Sequence, residues 1–486
     1  MRNLLLLMVG CFTFTGQVVA QGSTDKWNLQ RCVEYAAKNN ISVKQADVQA
    51  RVAALEVERT KLSQYPSANA NTNLGTQFGR SIDPTTNQFT TTQLLFQGIN
   101  LNANATVFNW GALKADRQIA GFNAQAALAD IERISNDVSL SIATFFLQVV
   151  AAKQQIAIAE VQVGQTQSQL GFTRKRVEAG ALPELSSAEI EAQLARDSTS
   201  LVSAKASFQQ AVIQLKAAIN LDMSVSFDVE IPAVEKIPLQ PLGELDPAFL
   251  YQLALNNQPA QKVSDLRIKS AEASIKRARS EFYPTISAFG GLGTNFANAA
   301  NTITGANIIG TRPTSNFVTV NNQNYQVFQP DIQLTSSKRN FFQMWNGWGG
   351  QLEQNFRQNF GINLQVPIFN AGSAKLGYER SKLNLRSAQI TRQQADLTLQ
   401  QNIYQAHTNA IAAIQRFHAS DKSVEASQKA YDYARKRFEA GLSNTLDLIT
   451  NQNNLLRAKL DRLNNQFDYI FRIKLLEFYK GQGIKL

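Results

Sequence analysis

Cysteine is nearly missing from this chain. Only Cys11 and Cys32 are present, and Cys11 falls in the leader sequence, so the mature chain keeps a single cysteine and no disulfide framework can form within it. Histidine is equally scarce. His407 and His418 both fall inside a long helical pattern, with no carboxylate or cysteine cluster nearby in sequence, which excludes the usual metal and acid–base constellations. No Gly-rich phosphate loop and no Ser-His-Asp arrangement is found either. The sequence therefore points to no catalytic residue, no cofactor and no metal, and to a protein that is not an enzyme. After the first residues there is no continuous apolar run of the ~20 residues that a membrane helix needs, so entry into a bilayer would have to be by β-strands. Charged residues make up 17% of the chain with a net charge of +11. The Lys and Arg residues are scattered among Glu, Asp and Gln along helical segments, which reads as a solvated helical surface and not as a nucleic-acid patch.

What is present begins with a leader. Met1-Arg2-Asn3 precede the apolar run Leu4 to Val9, and small residues at Val18 and Ala20 lead to Gln21, so residues 1–20 read as a secretory signal peptide. Met8-Val9-Gly10 before Cys11 also touches a lipoprotein pattern, but the apolar run would then be very short. Cys32 lies in the helical run Leu29-Gln30-Arg31-Cys32-Val33-Glu34-Tyr35-Ala36-Ala37 and reads as a small buried hydrophobe.

The mature chain is a duplication. Lys38-Asn39-Asn40 through Gln64-Tyr65-Pro66-Ser67 recurs as Leu255-Asn256-Asn257 through Phe282-Tyr283-Pro284-Thr285. Gly98-Ile99-Asn100-Leu101 leading to Val107-Phe108-Asn109-Trp110-Gly111 recurs as Gly361-Ile362-Asn363-Leu364 leading to Ile368-Phe369-Asn370-Ala371-Gly372, and Arg174 to Gly180 recurs as Arg435 to Gly441. Gly111 to Gly372 and Gly180 to Gly441 are both separated by 261 positions. The 69-residue interval between the two glycines is thus conserved in length within the chain, as a rigid rod requires and a loop does not. The organisation read from this is a leader (1–20), a first repeat (21–242) and a second repeat (243–486), with a proline-rich linker or short strands from Val225 to Pro247 between them.

Each repeat reads as helix, strand pair, long helix, return helix. Residues 28–64 and 248–281 have helical composition and stop at Tyr65-Pro66 and Tyr283-Pro284. Leu101, Ala103, Ala105 and Val107 then alternate with Asn102, Asn104 and Thr106, and Ile362, Leu364, Val366 and Ile368 alternate with Asn363, Gln365 and Pro367. This is a strand pattern with one apolar and one polar face. A soluble sandwich gives the same alternation, but runs of about 9 to 11 residues and lopsided turns favour tilted membrane strands. The connection at about 295–357 is rich in Asn, Gln, Thr and Gly and carries Trp345, Trp348 and Tyr325, so it reads as a long extracellular loop. No proline occurs from 85 to 182 or after Pro367. In the second of these tracts Leu376, Leu383, Ile390, Leu397, Tyr404 and Ile411 recur every seventh residue, a coiled-coil seam on whose phase His418 also falls. At 1.5 Å per residue, a rod of this length extends ~100 Å.

The start Trp27-Asn28-Leu29-Gln30-Arg31-Cys32-Val33, the duplicated unit, the Phe-Asn-x-Gly strand ends and the repeated Arg-x-x-x-Gly corner together resemble the TolC family of outer-membrane efflux proteins over essentially the whole mature chain. The resemblance implies a mixed, mainly α fold: long antiparallel coiled-coil hairpins and four transmembrane strands per chain, with a homotrimer forming a 12-stranded barrel continued by a 12-helix periplasmic tunnel. Oligomerisation follows from the strands as well, since four cannot close a barrel and the smallest membrane barrels have ~8. By the same resemblance the periplasmic tips, at Arg176, Gly180, Ala181 and Leu182 and at Arg437, Gly441 and Leu442, dock a periplasmic adaptor working with an inner-membrane pump. Asp447 matches the first of two carboxylates that ring the closed tunnel. Thr450 stands at the second position, and Ser186 and Glu189 are the first-repeat equivalents, so the double acidic ring is incomplete here. The implied function is a passive outer-membrane exit for a tripartite efflux pump or a type I secretion system. A periplasmic or surface coiled-coil protein without a pore is the competing reading.

Overall fold

The computed structural model describes residues 26–82, 87, 89–91, 93–230 and 241–481. The leader at 1–20, and Cys11 with it, lies outside them, as do Pro232 and Pro238 of the linker.

The elements run in chain order as β1 (Lys26–Trp27), α1 (Leu29–Asn39), α2 (Ile41–Leu62), β2 (Ser67–Gln77), β3 (Arg80–Ile82), β4 (Phe89–Thr91), β5 (Leu94–Phe108), α3 (Ala112–Glu178), α4 (Glu184–Ile219) and β6 (Asp228–Val229). There follow α5 (Pro247–Asn257), α6 (Pro259–Ser280), β7 (Thr285–Ala299), β8 (Asn301–Val320), β9 (Gln323–Lys338), α7 (Trp348–Gln354), β10 (Arg357–Gln365), α8 (Ser373–Glu439) and α9 (Thr445–Tyr479). The helices come in matched pairs. α1 and α5 have 11 residues each, α2 and α6 have 22, and α3 and α8 have 67, while α4 has 36 and α9 has 35. The helical stretches expected at 28–64 and 248–281 are each broken once, at Asn40, whose ψ of 135° leaves the helical region, and at Pro259, which opens a new helix.

The chain divides into two compact units, and neither is a sequence repeat. The first unit takes 26–52, 125–266 and 389–481 of the described residues, and the second takes 53–124 and 267–388. Each repeat therefore contributes to both.

In the first unit the central core joins Trp27, Leu29, Cys32 and Ala36 to Ile142, Phe146 and Val150 of α3, Leu215 and Ile219 of α4, and Phe467 and Ile470 of α9. Asn28 caps α1 by accepting the Arg31 N–H at 2.9 Å, and β1 pairs in parallel with β6, setting Trp27 beside Val229. A second core joins Leu250 and Ala254 of α5 to Leu399, Ile403, Ala406 and Ala410 of α8 and to Ile473 and Leu476 of α9. By length and composition α3 also contains a stretch apolar enough to cross a membrane. Its fully covered residues, Ile142, Phe146, Val149 and Val150, have their apolar surroundings inside this core instead.

Burial pushes the Cys32 thiol up from 9.0 to about 12. The neutral thiol therefore favours folding below pH 9, and that contribution is lost as the pH climbs toward 12. Native mature protein is expected to resist maleimide at pH 8 and to take up one label per chain once denatured. Prompt labelling of the native protein would show that α1 is not seated in this core.

The second unit holds a four-stranded antiparallel sheet in the order β10-β7-β5-β2. The expected strand over 362–368 ends at Gln365, because Pro367 cannot donate to a ladder; Ile368 and Phe369 are fully exposed beyond it. The region at 295–357 is also not an irregular loop. β8 and β9 pair along their length as an antiparallel hairpin, closed by Asn321 and Asn322, with φ of 52° and 64°. Two left-handed residues make the turn whose twist matches paired strands, and asparagine tolerates that conformation. After the hairpin, the segment containing α7 folds back on the sheet, where Leu95, Phe296 and Ala300 cluster with Met344 and Trp348 Nε1 donates to Gln97 Oε1 at 2.7 Å.

Candidate functional site

The sheet divides its side chains between a mainly apolar face and a mainly amide face, with Gln97 and Gln358 on the first and Phe289 on the second. Residues paired directly across strands share a face, and the register places Ala70, Leu101 and Leu292 in one row with Gln358 at its edge, Ala103 beside Gly290 and Phe360 in the next, and Ile286 beside Leu364 in another. This face is mainly apolar, and much of it is open: Phe360, Ile362 and Leu364 are all exposed. The opposite face carries Asn69, Asn102, Gly291 and Asn359 in one row, and Asn71, Asn100, Gly293 and Arg357 in the next. Its glycines are there for space. A Cβ at Gly98 would come within 2.4 Å of Asn73 Oδ1, and one at Gly291 within 2.4 Å of Asn359 Oδ1, so the amides lie across the glycines. One face fits hydrocarbon and the other fits water, the division a membrane-spanning barrel wall requires.

The sheet is not closed. β2 pairs only with β5 and β10 only with β7 among the described residues, leaving two rows of unpaired backbone groups. Two helices carry matching unsatisfied stripes. On α8, Leu376, Leu383, Ile390, Leu397, Tyr404 and Ile411, the seam read from the heptads, are exposed, Leu383 at 69%. The seam that α8 fills within its own chain is a neighbouring one, with Leu399, Ile403, Ala406, Ala410 and Ala413 buried. On α2, Ile41, Val48, Leu55 and Leu62 repeat the seven-residue spacing and are likewise exposed.

The hairpin corners are built alike. At the end of α3, the Ala181 N–H donates to the Arg176 carbonyl at 2.8 Å and the Gly180 N–H to the Val177 carbonyl at 2.9 Å. At the end of α8, Leu442 donates to Arg437 at 2.8 Å and Gly441 to Phe438 at 3.0 Å. Both glycines have positive φ, 72° and 71°. This is the Schellman arrangement, which needs a left-handed residue after the helix.

The structure brings the two corners together. The Arg176 guanidinium donates to the carbonyls of Phe438 and Glu439 at 3.1 and 3.0 Å, so a cation from the first hairpin closes the C-terminus of α8, where the helix dipole is negative. Arg437 instead stays within its own corner, donating to the Leu442 carbonyl at 3.4 Å. Leu182 packs against a core of Leu170, Ile190, Tyr431, Phe438 and Leu448. Beyond the second corner, Asn444 caps α9 by accepting the Asp447 N–H at 2.9 Å, and Asp447 and Thr450 are exposed. Their first-repeat equivalents are placed differently, with Ser186 buried and Glu189 half-buried.

A buried polar cluster was not read from the sequence. Asp197 of α4 accepts from Thr166 of α3 at 2.6 Å through Oδ2 and from Gln193 at 2.7 Å through Oδ1. Gln452 of α9 donates to Thr166 at 2.7 Å, and Gln193 to Asn453 at 3.0 Å. Thr166, Gln193, Asp197 and Gln452 are all under 5% exposed. The available signal was the pairs Gln162/Thr166 and Gln193/Asp197, polar residues four apart in phase with buried apolar positions.

The sequence pattern of outer membrane efflux proteins matches residues 33–221 and 250–470. The pyoverdine export outer membrane protein OpmQ of Pseudomonas putida is 23% identical over 203 residues, which are 42% of this chain and 41% of that relative, so the aligned part spans less than half of its length. Among solved structures, the CmeC outer membrane channel of Campylobacter jejuni superposes with a TM-score of 0.70 at 17% identity, covering 95% of this chain and 87% of that one. The outer membrane protein VceC of Vibrio cholerae gives 0.69 at 14% identity, covering 94% and 96%. These two likenesses show a shared fold. The family match takes in most of both repeats and places the protein in the outer membrane with a periplasmic extension: the chain belongs to the outer membrane efflux protein family.

Proposed function

We propose that three copies of this chain assemble into a passive outer-membrane channel that gives exit to substrates delivered by a tripartite efflux pump or a type I secretion system. The observation that carries this is the open sheet, with one apolar face, one amide face and two unpaired edges. β2 of one copy and β10 of the next complete each other's ladders, and three copies close twelve strands with the apolar face toward lipid. The exposed stripes of α2 and α8 are covered in the same head-to-tail contact; two different surfaces joined in this way form a ring when the rotation closes, as the barrel requires. Twelve helices then form the periplasmic tunnel.

The tips around Gly180, Ala181, Leu182, Gly441 and Leu442 face a periplasmic adaptor. Arg176 is already engaged by α8, so its part is to hold the two tips in register, while Arg437 is the freer guanidinium. Three copies of Asp447 form a single acidic ring near the tunnel end. Thr450 contributes hydroxyls, while Ser186 and Glu189 sit farther from the lumen. Transport energy comes from the inner-membrane partner, since the channel performs no chemistry.

Purified protein in a planar bilayer tests this reading. Stepwise conductance and a detergent-solubilised mass of three chains are expected. A monomer that stays soluble without detergent and carries no current would overturn it in favour of a poreless coiled-coil protein.

A further inference from the structure

The four strands of the sheet are almost free of charge. β2, β5, β7 and β10 contain no Asp, Glu or Lys, and their one ionisable side chain is Arg357, the first residue of β10. Arg357 stands directly across from Gly293, which in turn stands across from Asn100. Its side chain lies on the amide face: a Cβ built on Gly293 would meet Arg357 Nε at 3.4 Å, Arg357 Cγ at 3.7 Å and Asn100 Oδ1 at 2.8 Å. Arg357 is exposed, and the strand end it occupies is the one farthest from α8.

We infer that Arg357 sets the ion preference of the barrel, forming one ring of three guanidiniums in an otherwise neutral, amide-lined passage and favouring anions over cations through its outer part. This rests on the channel reading above. No carboxylate on any of the four strands can neutralise the ring, including β2, the strand that a neighbouring copy would lay beside β10. Neutral amides solvate ions of either sign, so within the barrel they leave the choice to the fixed charge; the Asp447 ring at the tunnel end acts in series and is the same in every variant compared. With each guanidinium on the order of 10 Å from the axis and a Debye length of ~10 Å at 0.1 M salt, three such charges change the chloride-to-potassium permeability ratio by about three- to fivefold. The cargo class that gains from this ring is anionic, and neutral polar molecules pass indifferently.

The test is the reversal potential of full-length protein in planar bilayers across a KCl gradient. Relative to wild type, Arg357→Gln is expected to lower the chloride-to-potassium ratio about three- to fivefold, Arg357→Glu to lower it further, and Arg357→Lys to hold it near the wild-type value. Arg357→Cys provides a route that does not depend on how well each variant folds. In the same inserted channels, a negatively charged thiosulfonate should lower the ratio and a positively charged one restore it. Variants that conduct with an unchanged ratio, or a cysteine variant indifferent to the sign of the reagent, overturn the inference. Wild-type protein that inserts without conducting overturns the channel reading itself, a different result from conduction without a shift.

Discussion

Replacing Leu383 and Leu397 of α8 together by aspartate is expected to leave a helical, folded chain that no longer assembles. Both leucines are more than 60% exposed in the single chain, so the substitutions remove nothing from its own core, which α8 builds on Leu399, Ile403, Ala406 and Ala410. In the proposed trimer they would be buried against another copy, each contributing about 1.5–3 kcal/mol. An aspartate in that position adds an unpaired carboxylate whose desolvation costs several kcal/mol more. A closed ring of three repeats the penalty at every interface. Mass determination in detergent should show a shift from three chains to one, with the circular dichroism of the helices retained, and conductance should vanish. A variant that remains trimeric would mean that this stripe faces lipid or solvent and that the head-to-tail contact lies elsewhere.

Substituting Asp197 by leucine is the second change expected to have a large effect, this time on the stability of the hairpins. Leucine is the larger side chain and accepts no hydrogen bond, so the hydroxyl of Thr166 and the amide of Gln193 lose their acceptor at a buried position. A buried donor left without a partner costs about 1–3 kcal/mol, so two together cost roughly 2–5 kcal/mol. Because the cluster joins α3, α4 and α9, the loss should appear as faster amide exchange in all three helices on either side of it, and not in α4 alone. Asp197→Asn keeps an acceptor and should recover most of the stability. Equal exchange rates in the leucine variant and the wild type would show that the cluster contributes nothing to tip cohesion. For Arg176 the corresponding expectation is smaller, since one guanidinium hydrogen-bonding two carbonyls is worth about 1.5–3 kcal/mol.

Much of the fold was legible in the residues themselves. The repeated 69-residue interval between glycines anticipated two helices of equal length, and α3 and α8 both have 67 residues. Gly180 and Gly441 were readable as corners because only a residue without Cβ takes the left-handed turn without strain. Leu101, Ala103 and Ala105 alternating with Asn102 and Asn104 mark the two faces of β5 without reference to its partners.

Other features were hidden for identifiable reasons. The β8–β9 pairing within the 295–357 connection is not legible in the sequence because its strands are rich in Asn, Gln and Thr, which dilute the apolar alternation. The signal that was present, Asn321-Asn322 between alternating segments, is a weaker relative of the usual Asn-Gly turn. Arg357 was invisible as a functional residue, since a single arginine among turn residues carries no pattern. It acquires meaning only when pairing with β7 aligns it with Gly293 and Asn100. The buried Asp197 cluster was equally silent, because Thr166 and Gln452 are 286 positions apart.

What the sequence determined by itself was local and periodic: the duplication, the length of the rods, the corners, the two-faced strands, and the insufficiency of four strands to enclose anything. These depend on spacing along one chain, and spacing fixes which way a side chain points from its own element. What only the tertiary structure decided was which of those faces find a neighbour. α8 has two apolar stripes of the same period, and nothing in the heptads distinguishes the one filled by α5 and α9 from the one left bare. That choice is made by contacts between residues hundreds of positions apart, where register and packing, not periodicity, assign each surface its partner.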